Sequence, residues 1–218
     1  MFKRTDSNIK TDIEDEINWD PAVTDDTLIA VTVKDGVATL TGFVKSYMDS
    51  YYAEKAAKRV KGVTAIANDI KVKLPTERTD PEIAEEAFKA VKRELPTTSK
   101  NIKIVVKDGW LKLEGECDWY FQKEAAERSL RSINGIKIIS NFITVKEQAT
   151  PIDISKKIEA ALVRNARLDA DNIQVELSGS KVTLRGKVHS LSEKLEAQRA
   201  AWSAPGITSV ENAIAVSL

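Results

Sequence analysis

Nine glycines fall into three sets with nearly the same internal spacing, which leaves little freedom in how the chain can be divided. Gly36, Gly42 and Gly62 are followed by Gly109, Gly115 and Gly135, then by Gly179, Gly186 and Gly206, at intervals of 6 and 20, 6 and 20, then 7 and 20 residues. The surrounding text repeats with them: Val37-Ala38-Thr39-Leu40-Thr41-Gly42, Trp110-Leu111-Lys112-Leu113-Glu114-Gly115 and Lys181-Val182-Thr183-Leu184-Arg185-Gly186. A period of 73 and then 71 residues is the size of a small domain. Three tandem domains are therefore expected, over 1–75, 76–149 and 150–218, joined by short polar stretches with proline at 75–81 and 148–151.

Within each unit the apolar period changes in the same order. Ile9, Ile13 and Ile17, matched by Ile83, Ala87, Val91 and by Ile154, Ile158, Leu162, lie four apart and form one face of a helix. Alternating runs follow, with Ile29, Val31, Val33 in the first unit, and after a glycine turn Ala38 and Leu40 face inward, which makes a β-hairpin. A second helix carries Ala53, Ala57 and Val60, or Ala126, Leu130 and Ile133, and stops near the third glycine of each set. A last strand carries Ile66, Ile70 and Val72, or Ile139, Ile143 and Val145. The expected class is α+β: three αββαβ domains, each a three-stranded mixed sheet with two helices on one face.

That order, with a glycine closing the second strand and Gly-Val or Gly-Ile opening the third, resembles the BON domain family. The resemblance rests on Val37–Gly42 with Gly62-Val63 and Asn68, Trp110–Gly115 with Gly135-Ile136 and Asn141, and Lys181–Gly186 with Gly206-Ile207 and Asn212. It implies a non-catalytic module that binds phospholipid or an anionic membrane surface, in an envelope or osmotic stress role. Some cytosolic relatives are linked instead to monovalent cations.

Composition narrows the alternatives. Thirty-three basic and 33 acidic side chains balance, so no global field favours nucleic acid, and the strands carry no aromatic stacking signature for RNA. One cysteine and one histidine exclude an internal disulfide and a Cys/His zinc site, and no cofactor is expected. Met1–Asp6 has basic residues but no apolar run after them, and nothing approaches about 18 consecutive apolar residues, so a cytoplasmic protein, peripheral to a membrane at most, is expected. No nucleophile–base constellation recurs at equivalent positions, and Asp12, Glu14, Asp15 and Glu16 form a solvated helix face.

Comparison among the repeats sorts the remaining residues. Cys117 aligns with Val44 and Val188, an inward position, whereas His189 aligns with Lys45 and Asp118 and belongs at the surface. Asn68, Asn141 and Asn212 share parity with buried aliphatics, so their amides need partners, expected in the crossover glycine loop. The glycines mark turns rather than a phosphate cradle. Trp19, Trp110, Trp119 and Trp202 align with charged or otherwise different residues in sister repeats, so none is required by the core of one unit. They either pack domains together or contact a membrane or partner.

The candidate contacts lie at the entry to the second helix: Tyr47, Met48, Tyr51 and Tyr52 in the first repeat, and Trp119, Tyr120, Phe121 and Lys123, with Arg128 and Arg131 nearby, in the second. Trp110, at the opposite end of a strand from Trp119, makes a separate contact. An anionic phospholipid surface is the first expected partner. A monovalent cation or small solute, and a protein partner bound to a scaffold, are the alternatives.

Overall fold

The computed structural model describes residues 4–24, 29–73, 78–147, 154–164 and 172–217. The stretches 75–77 and 148–151, expected as joints, lie outside the described residues. Among those described are three three-stranded sheets with order β1-β2-β3, β4-β5-β6 and β7-β8-β9, and two helices for each.

The second repeat shows how the sequence makes this unit. Helix α3 (Asp80–Glu94) starts at Thr79, whose N–H and hydroxyl donate to Glu82 at 2.9 and 2.8 Å, and it buries Ile83, Ala87 and Val91 as their spacing requires. A single turn, Ser99–Asn101, leads into β4 (Ile102–Lys107), which pairs antiparallel with β5 (Trp110–Cys117). The two-residue connection has positive φ at both Asp108 (53°) and Gly109 (79°), the type I′ turn whose twist suits a hairpin. Helix α4 (Tyr120–Arg128) crosses back, and β6 (Ile138–Val145) lies parallel to β5. Leu111, Leu113 and Cys117 from the sheet meet Ile83, Ala126 and Leu130 in one core.

The third repeat repeats the plan with α5 (Ile154–Arg164), β7 (Ile173–Ser178), β8 (Lys181–Val188), α6 (Leu191–Trp202) and β9 (Ser209–Val216). The first uses α1 (Asp6–Trp19), β1 (Ile29–Lys34), β2 (Val37–Val44), α2 (Tyr47–Arg59) and β3 (Ala65–Val72). By tertiary contacts the chain divides into two compact units, one of 1–41, 52–69 and 147–218, the other of 42–51 and 70–146. The start of α2 thus belongs with the second repeat.

Three details differ from the sequence expectation. The glycines at 42, 115 and 186 do not close the second strand of each unit, which runs two residues further to Val44, Cys117 and Val188. Gly115 sits opposite Ile102, with φ of 133°, where the Asn101 carbonyl enters the space a side chain would take. Second, α4 stops at Arg128; Leu130 and Ile133 stay in the core through tight turns, their N–H groups bonded three residues back to Glu127 and Leu130.

Third, the inward asparagines bind the crossing helix, not the glycine loop. Asn141 donates to the Lys123 carbonyl at 2.9 Å and accepts the Ile143 N–H at 3.2 Å; Asn212 treats Lys194 and Ile214 likewise, and Asn68 reaches Glu54 at 2.8 Å. The amide fills the gap between a helix carbonyl and a strand N–H that no aliphatic can satisfy. Asn141→Ala is expected to cost about 1–3 kcal/mol, read as a lower urea midpoint for the second repeat.

One stabilising contact escaped the sequence reading. Asp80 Oδ2 and Oδ1 accept the N–H groups of Asp108 and Gly109 at 2.8 and 3.0 Å, and Asp6 clamps Asp35 and Gly36 in the same way at 2.8 and 3.1 Å. The Thr-Asp pair at 5–6 and 79–80 was the available signal.

Candidate functional site

The aromatic residues at the two helix entries have different fates. In the first repeat Tyr47 packs against the core of the second, and the Arg131 guanidinium lies 4.0 Å from the centroid of the Tyr51 ring. The Tyr47 and Tyr51 rings are 6.5 Å apart, so the pair and the cation form one contact joining the first repeat to the second. Arg131 also bonds Glu127 at 2.8 Å; although burial works against its charge, these partners raise its pKa above the usual value. Met48 and Tyr52 are half-buried, with Lys55 5.8 Å from the Tyr52 ring.

The second repeat presents its aromatics outward. Trp119 is 40% exposed and Phe121 64%, while Tyr120 is half-buried. Trp119 occupies the N-cap of α4, and its side chain makes no capping bond. Gln122 supplies part of the cap instead, accepting the N–H groups of Asp118 and Trp119, both at 3.0 Å, and donating to Thr98 at 3.1 Å. Lys123 is half-buried, and burial lowers its pKa. The nearby guanidinium groups are engaged: Arg128 with Glu94 at 3.1 Å, Arg131 as above.

Cys117 is buried, as its column predicts; its thiol donates to the Trp119 carbonyl at 3.2 Å, and burial raises its pKa. His189 departs from the surface expectation. It is half-buried, its ring 3.3 Å from the Ser217 hydroxyl and its carbonyl accepting the Gly62 N–H at 3.2 Å, so the first and third repeats meet there. Trp202 also departs, because it packs on the core of its own repeat. Trp19 and Trp110 are exposed, Trp110 on the open sheet face away from Trp119.

The acidic helix face borders an open groove of about 540 Å³ beside Trp19, lined also by Asp12, Glu16, Arg59 and Lys61. Its charges are largely satisfied internally. Arg59 bonds Glu16 and Asp20 at 2.6 and 2.8 Å and holds the Asp20 carboxyl below its usual pKa, and Asp12 pairs with Arg4. Among the described residues no cluster of three or more His, Cys, Asp or Glu is placed to hold a metal, and no helix is long and apolar enough to cross a membrane.

Fold and site together define a tandem array of small α+β modules with exposed aromatic side chains concentrated, among the described residues, on the middle one. A family model for the BON domain matches residues 5–73, 79–147 and 153–217, so the chain belongs to the BON domain family. Osmotically-inducible protein Y of Escherichia coli strain K12 is 29% identical over 124 residues, which cover 54% of this chain and 62%, under two thirds, of that relative. Among solved structures, the C-terminal domain of CdsD, a structural protein of the type III secretion system of Chlamydia trachomatis, aligns over 99% of this chain and 100% of that one at 15% identity and a TM-score of 0.28. The PrgH periplasmic domain aligns over 87% and 95% at 14% identity and a TM-score of 0.22.

Proposed function

We propose that the protein is a non-enzymatic binding protein that contacts an anionic phospholipid surface through the α4 entry of its second repeat, with Trp119 and Phe121 as the inserting side chains. One observation carries this reading: an exposed tryptophan stands at a helix N-cap where both sister repeats have a capping serine. Ser46 and Ser190 accept the N–H groups of Asp49 and Glu193, both at 3.2 Å. Such a cap contributes roughly 1 kcal/mol. Forgoing it to expose an indole is the pattern of a residue kept for contact rather than stability. Indole and phenyl rings favour the bilayer interface. Family membership supports the lipid, and likeness to an osmotically inducible protein supports a role in osmotic stress.

Trp119→Ser with Phe121→Ser installs the third repeat's residues, Ser190 and Ser192. The expected result has opposite signs in two assays. Co-sedimentation with phosphatidylglycerol vesicles weakens by about tenfold or more, from loss of two partly inserted aromatics. Thermal stability rises slightly, by about 0.5–1 kcal/mol, from the restored cap. Unchanged vesicle affinity defeats the site assignment.

A further inference from the structure

The open face of the second sheet, the one without helices, is unlike that of the third, and it carries more apolar surface than the first, where β2 exposes Val37 and Phe43. Across its three strands the first row is Lys107–Trp110–Ile138, the next Val105–Lys112–Ser140, the third Lys103–Glu114–Phe142. Four of these are exposed large apolar side chains, Trp110 at 60% and Phe142 at 62% with Val105 and Ile138 between 40 and 50%. The same rows in the third repeat read Ser178–Lys181–Ser209, Glu176–Thr183–Glu211 and Gln174–Arg185–Ala213, with no exposed large apolar side chain. A fold that is complete with a polar face there does not need an apolar one.

We propose that this sheet face is a second membrane-docking surface, for an anionic bilayer, with Trp110 and Phe142 entering the interface and Lys103, Lys107 and Lys112 meeting lipid phosphates. The assignment rests on the lipid reading above and adds a site to it. Charge decides the kind of occupant: three lysines stand among the apolar residues against two carboxylates, Glu114, itself paired with Lys112 at 2.8 Å, and Glu116 in the row beyond, so the face keeps an excess of positive charge. A second copy would bring the same excess of positive charge face to face. Area points the same way, since three strands of this length span about 26 by 14 Å, roughly 350 Å², against about 800 Å² per partner in a stable protein interface. A bilayer needs no matching shape, accepts aromatics at its interface and attracts lysines electrostatically.

The test uses the full chain and vesicles of phosphatidylglycerol in phosphatidylcholine, with pure phosphatidylcholine for comparison. Trp110→Ser with Phe142→Ala is expected to weaken binding about tenfold. Lys103→Gln, Lys107→Ser and Lys112→Thr, the third repeat's residues, weaken it further at low salt and leave the remainder less salt-sensitive. Circular dichroism melts confirm that each variant is folded, as the third repeat's polar face implies. Wild-type binding retained in both variants overturns the sheet-face assignment alone. A wild-type chain that binds neither vesicle overturns the lipid reading and this assignment together. Sedimentation velocity covers the other occupant: a dimer abolished by Trp110→Ser with Phe142→Ala overturns the bilayer in favour of a second copy.

Discussion

Gly115→Ala is expected to remove about 3 kcal/mol or more from the second repeat, enough to unfold much of it at 37 °C. An added Cβ would stand 2.0 Å from the Asn101 carbonyl oxygen and 3.2 Å from the Ile102 Cα, both backbone atoms that cannot rotate away. The φ of 133° is itself strained for any L side chain. Strain of that kind costs about 1–3 kcal/mol, and forced displacement of a packed strand a similar amount again. A unit of this size has only about 4–10 kcal/mol in hand. Gly179→Ala provides the control: φ there is 59°, and nothing lies within 4 Å of the added atom. It should cost about 1 kcal/mol. Thermal melts followed by circular dichroism separate the two, and equal effects would show that the carbonyl approach is not what demands glycine.

Leu113→Ala should destabilise the second repeat by about 3–5 kcal/mol. Leu113 is fully buried in the middle strand, within the core that Ile83, Leu111 and Ile143 also form. Truncation removes the transfer energy of three carbons and leaves a cavity that a rigid sheet cannot close. Val105→Ala, on the open face of the neighbouring strand, should change stability by less than about 0.5 kcal/mol. Urea unfolding reads both; a Leu113 variant within 1 kcal/mol of wild type would contradict the inward assignment.

The contrast between Leu113 and Val105 is also the reason so much of the fold was legible. Alternation along a strand and a spacing of three or four along a helix are local facts, and three copies with different surface residues separate what the core requires from what drifts. Ile9, Ile83 and Ile154 all reach zero or near-zero exposure where the periodicity puts them. The glycine columns were equally visible, but their cause was not: Gly115 answers to the Asn101 carbonyl, from the turn that leads into β4, and one-dimensional spacing cannot distinguish that from a turn of the glycine's own.

The candidate site was legible only in part. Tyr47 and Trp119 lie at the same helix entry in sister repeats and read alike as surface aromatics, yet one covers a neighbour's core and the other does not. Arg131 looked like a headgroup ligand and instead stacks on Tyr51. His189 looked exposed because its column is polar, but its ring meets Ser217 from the end of another strand. Such partners lie 28 to 80 residues away along the chain, beyond the reach of any local pattern. Repeat number, element order, inward faces and family therefore follow from short-range periodicity repeated three times. Which aromatics stay exposed, which cap is forgone and which sheet face carries Trp110 beside Ile138 depend on contacts between distant segments, where packing and backbone hydrogen bonding choose among side chains that composition leaves equivalent.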